Sequence, residues 1–227
     1  MTAIARPFDP MSMDDHVAIL RRVGWVLIIL GAAYFVRTLY MLWRAPGHIE
    51  LEVLLVPAGI LLERGNLRVV RLMTWLSAFG LAAIIVGTVV VAPWVRPLDY
   101  QWWHFRRDPL DFFGGVFSTF LTLWVSFWVY KRLRSPPVLA AMVAAGRSAK
   151  TVKSAFIAGV AIPLVIGGLV IGAVHGKAAD HAKALAAQEY GDRFKYFVTN
   201  INWGPHGVSA TVIAYDKFEE KQTRVEW

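Results

Sequence analysis

The sequence predicts an all-α transmembrane bundle of five helices, or four, followed by a small C-terminal extracytoplasmic α+β domain. Three observations carry that expectation: long charge-free apolar blocks, basic residues gathered between particular blocks, and an alternating pattern near the C-terminus. The 227 residues are 56% hydrophobic and 18% charged, whereas soluble domains carry about a quarter charged residues. Residues 72–95, 112–130 and 154–174 contain no Asp, Glu, Lys or Arg. A helix rises about 1.5 Å per residue, so about 20 apolar residues cross a hydrocarbon core of about 30 Å. Unpaired backbone is costly in lipid, which makes helices the expected form of these blocks.

The expected spans are 23–43, 48–64, 72–95, 110–130 and 154–175, within a bundle of 23–175 that follows an N-terminal segment of 1–22. The first span contains Arg37 near its far end, where a long side chain snorkels toward headgroups. The second is the shortest. It is bracketed by Glu52 and Glu63, contains Pro57 and Gly59, and either crosses, re-enters or lies in the interface. Residues 1–22 are not expected to be a cleavable signal peptide, because the apolar run after Arg21 and Arg22 is long and continues to Trp43.

The net charge is +8, but the tail from Gly176 holds seven basic and seven acidic residues. The excess therefore sits around the spans, which argues against nucleic-acid binding and for membrane orientation. Residues 131–153 hold Lys131, Arg132, Arg134, Arg147, Lys150 and Lys153 and no acid, which predicts a cytoplasmic loop. The tail then emerges on the other side of a bacterial inner membrane, whether 48–64 crosses or not. With five crossings the N-terminus is cytoplasmic.

The domain expected over 176–227 is a helix and a three-stranded antiparallel meander. Residues 177–190 are alanine-rich with spread charges, and Gly191 is a helix stop. Residues 194–203, 208–215 and 222–227 read as strands, the last placing Thr223, Val225 and Trp227 opposite Gln222, Arg224 and Glu226. About 50 residues make a small core. Support is expected from the membrane-facing loop, from self-association or from a partner, and the last strand leaves a pairing edge.

Candidate sites are few. The segment 94–105 is crowded with Trp94, Tyr100, Trp102, Trp103 and Phe105. It reads as an interfacial aromatic belt, or else as a surface for lipid, quinone or a partner. With His104, Tyr215 and Trp227 these tryptophans (Trp94, Trp102 and Trp103) form the candidate interaction set. No histidine falls inside an apolar block, which counts against a haem-binding bundle, and the histidine spacing fits no metal pattern. No cofactor is expected. The chain has no cysteine, which removes disulfides and thiol chemistry. Gly168 and Gly172 form a small-xxx-small pair that suits bundle packing or a homo-oligomer. The expected function is a non-enzymatic membrane accessory or binding protein with lipids and a protein partner, for example in toxin immunity or complex assembly. The alternatives are a small transporter or channel subunit using Arg37, and an enzyme acting on lipid or quinone through Trp102, Trp103 and His104.

Overall fold

A computed structural model describes residues 11–44, 54–147, 152–205 and 207–227, without the side chains of 11–14, 37 and 40–44. Nine helices precede or flank a single sheet among these residues: α1 (Met11–Arg44), α2 (Leu55–Glu63), α3 (Leu67–Val86), α4 (Ala92–Val95), α5 (Leu98–Arg107), α6 (Pro109–Leu133), α7 (Pro136–Ala144), α8 (Lys153–Val174) and α9 (Lys177–Tyr190). The strands β1 (Lys195–Gly204), β2 (Gly207–Tyr215) and β3 (Glu220–Glu226) follow. Four helical stretches among the described residues are long and apolar enough to cross a membrane: Asp15–Val36, Leu67–Val95, Pro109–Leu133 and Lys153–Val174. Their outer surfaces are apolar, with Leu110, Phe117 and Leu169 well exposed, a pattern that suits lipid rather than water. The expected span 48–64 is described from Leu54 onward. Its helix α2 has nine residues, roughly 13 Å of rise.

The chain divides into two compact units, one of residues 1–78 and 124–155, the other of 79–123 and 156–227. The tail from 176 falls in the second of these units.

In the first unit, Leu20, Leu62, Val70, Leu133, Val138 and Met142 form one core. That core gathers the early turns of α1 and α3 with the last turns of α2 and α6 and with α7. Helix α7 contributes Val138 and Met142, four apart on one face. Helices α1 and α2 run antiparallel in close contact because glycines remove the side chains between them. A Cβ on Gly59 would lie 2.6 Å from the Gly24 carbonyl oxygen, and one on Gly31 would lie 2.7 Å from Val56. Arg21 faces Glu63 across this hairpin at 3.8 Å.

In the second unit, α3 passes into a π-helical stretch, Gly87–Val91, before α4. Pro93 lacks an N–H and cannot donate to the preceding turn, so the ladder loosens just before it. Val91 fills the space left by Gly167 of α8, and Gly159 meets the Phe79 carbonyl. At Gly168 and Gly172, by contrast, an added Cβ would meet nothing within 4 Å. Packing between these helices therefore uses Gly159 and Gly167, and the Gly168–Gly172 pair faces open space.

The sheet has the order β1-β2-β3, antiparallel throughout. Helix α9 covers one face, burying Ala179, Ala182 and Ala186 against Val198, Ile201, Ala210, Val212 and Val225. Alanines let the helix approach closely, and Gly191 ends it at φ 82°. Strand β1 carries a bulge between Val198 and Asn200, whereas β3 pairs with β2 in regular register from Ser209↔Glu226 to Tyr215↔Glu220.

Candidate functional site

The expected aromatic loop is a helix. Pro97 precedes it, Asp99 lies in its first turn, and His104, Arg106 and Arg107 lie in its last, matching the helix dipole at both ends. Its residues divide by helical spacing. Tyr100, Trp103 and Arg107 turn to the sheet, while Leu98 and Trp102 are exposed. The Pro, acid and base positions are readable in the sequence. The density of aromatics makes a belt the simpler reading and hides the period.

Helix α5 lies on the end of the sheet face opposite α9. The Tyr100 ring packs 4.6 Å from Phe197 and 5.1 Å from Tyr215 between centroids, and Trp103 lies 6.1 Å from Tyr215. Lys195 Nζ donates to Asp99 Oδ2 at 2.6 Å, and the Tyr100 hydroxyl donates to Glu220 at 3.1 Å. Arg107 donates to the Phe218 carbonyl at 2.6 Å. The meander is thus sandwiched between α9 and α5 of the same chain.

Electrostatics follow from these contacts. The Lys195 hydrogen bond holds the Asp99 carboxyl below its ordinary range despite some burial, with help from Tyr215. Burial, joined by Glu220, pushes the Tyr100 hydroxyl up to about 12. Burial pushes Tyr215 up further, with Asp99 adding to it. Tyr215 therefore remains a neutral donor to Asp99.

The candidate interaction residues separate into two groups. Tyr215 is only 5% exposed and Trp103 is half-buried, so both serve the α5–sheet contact. Trp94 and Trp102 are 62% and 56% exposed, beside or on α5. His104 meets Asp111 at 3.1 Å, tying the end of α5 to the start of α6. Trp227 exchanges backbone hydrogen bonds with Val208, and its ring stands 5.3 Å from that of His181. The side chain of Arg37, like all of His206, lies outside the described residues. Each of His104, His175 and His181 has its own separate neighbour, and among the described residues no three His, Asp or Glu side chains form a metal-binding group.

A feature absent from the candidate set is the groove where the β1–β2 hairpin meets the end of β3. It encloses about 520 Å³ and is lined by residues that include Asn202, Trp203, Arg224, Glu226 and Trp227. Trp203 is 62% exposed there. Comparison with protein families, curated proteins and solved structures finds no match to the chain.

Proposed function

We propose that the chain is a non-enzymatic accessory protein of a bacterial inner membrane. Its helices anchor it, and its C-terminal α+β portion binds a protein partner on the extracytoplasmic side. The observation that carries this reading is the regular β3 edge, which pairs with no further strand among the described residues and ends at the Trp203–Trp227 groove. The Trp227–Val208 exchange is a hydrogen-bonded pair, and such pairs alternate along an antiparallel ladder. Glu226, Arg224 and Gln222 therefore aim their N–H groups away from β2. That row is a template for a partner strand, with Trp227 and the groove at the end of β3 as an anchor. The charges of Glu220, Arg224 and Glu226 select a partner of matching pattern. Toxin immunity and assembly of a membrane complex both suit such a surface.

The orientation rests on the first unit. Its core draws together the ends of α1, α2, α3 and α6 that carry Arg21, Arg22, Arg64, Arg68, Lys131, Arg132 and Arg134. A chain that leaves this end along α1 and starts α3 from it has returned in between, by way of α2. That supports five crossings with a cytoplasmic N-terminus. Because the chain has no cysteine, a single Ser209→Cys variant reports sidedness. A membrane-impermeant maleimide should label it in intact spheroplasts, and labelling only after lysis refutes the orientation.

The binding reading is tested with Arg224→Pro, which removes an outward N–H and leaves the β2–β3 ladder intact. A photo-crosslinker at Trp203 should give one discrete protein adduct in living cells, lost in Arg224→Pro. No adduct, or an adduct indifferent to the proline, sinks the reading.

A further inference from the structure

We propose that the cleft between α5 and the β2–β3 turn binds the phosphate headgroup of an anionic phospholipid. The cleft encloses about 420 Å³, within the range of small-ligand sites. Its walls carry the cations Arg193, Lys195 and Lys217 and the aromatics Trp103, Tyr215 and Phe218.

Its two carboxylates are already occupied. Asp99 accepts from Lys195 and Tyr215. Asp216 accepts from the N–H groups of Phe218 and Glu219 and faces Arg193 at 3.7 Å. Arg193 also pairs with Glu219. Among the described residues Lys217 has no ion-pair partner, so one exposed ammonium remains to receive an anion, with the unused N–H groups of Lys195 behind it.

Two further observations select a lipid over a free anion. Only Asp108 separates helix α5 from the candidate span Pro109–Leu133, so the cleft stands at the end of a membrane-crossing helix, where headgroups lie. Phe218, 78% exposed, stands at the cleft with its carbonyl held by Arg107. A free phosphate has no use for that ring, whereas an acyl chain leaving the headgroup packs on it. This site does not depend on the β3 edge or on a protein partner.

The test uses the full chain, delipidated in detergent and then supplied with phosphatidylglycerol or phosphatidylcholine, with retained lipid counted by native mass spectrometry. The parent should retain one phosphatidylglycerol in preference to phosphatidylcholine. Lys217→Glu should weaken that retention about tenfold, the scale of replacing a headgroup cation by an anion. Phe218→Ala should weaken it too, and Arg224→Glu, the same charge change elsewhere on the sheet, should not. Both Lys217 and Phe218 are exposed on a turn, and an unchanged circular dichroism melt verifies their fold. Equal retention of the two lipids, or Lys217→Glu behaving like Arg224→Glu, overturns the proposal. Displacement of phosphatidylglycerol by millimolar inorganic phosphate also overturns it, in favour of a free-anion site.

Discussion

Lys195 at the start of β1 holds Asp99 of α5 at 2.6 Å, joining residues 96 apart in sequence. The pair is more than half open to solvent on the lysine side, so its direct contribution to stability is modest. Its larger role is registration: it sets α5 along the sheet so that Tyr100 lands between Phe197 and Tyr215.

That arrangement makes Tyr100 the residue whose loss should loosen the sheet most. Tyr100→Ala is expected to cost about 2 kcal/mol, less than a fully buried aromatic because the ring is half-buried. Tyr100→Phe keeps the ring and should cost well under half as much. Limited proteolysis of the C-terminal region across a temperature ramp measures both. Equal resistance of Tyr100→Ala and parent contradicts the packing role.

The pH response has a defined sign at each end. Asp99 is depressed in the folded chain by Lys195, so its contribution is present above the ordinary carboxyl range and is lost as pH falls through the folded value. Asp99→Asn should flatten the acid limb of a melting-temperature profile. Tyr100 is raised to about 12, so its contribution is complete below the ordinary phenol value of about 10 and fades as pH climbs from there through the folded value. Tyr100→Phe should make that alkaline decline shallower, leaving the part that Tyr215 contributes. A profile identical to the parent in either variant refutes the corresponding assignment.

Glycine substitutions should sort by contact, not by motif. Gly59→Ala drives a methyl into the Gly24 carbonyl and should destabilise by about 1–3 kcal/mol. Gly168→Ala meets nothing and should be neutral or slightly stabilising, since alanine is the better helix former. Thermal unfolding in detergent compares the two. If Gly168→Ala is the costlier, that face is covered by something outside the chain, and a shift in oligomeric size would identify a second copy.

Much of the fold is legible in the sequence because it follows from local rules. Lys177–Tyr190 and its Gly191 stop, and the opposed faces of β3, stand where composition and alternation put them. The four long apolar helices follow from length alone. What is not legible depends on contacts distant in sequence. Gly24 and Gly59 resemble any other glycines until two helices are laid together, whereas the conspicuous Gly168 and Gly172 touch nothing. Nothing local to Tyr215 announces its contact with α5, more than 100 residues upstream. The groove beside Trp203 needs the end of β3 beside a hairpin, a relation that no spacing encodes.

Helix α5 is separated from α4 by Arg96 and Pro97 and from α6 by Asp108 alone. There is no slack in such short, proline-stiffened joints. A change in tilt of the helices on either side, as when bilayer thickness changes, would leave α5 little freedom except to turn with them. Any such rotation would reach the strands through Tyr100 and Asp99, which couple α5 to Tyr215 and Lys195.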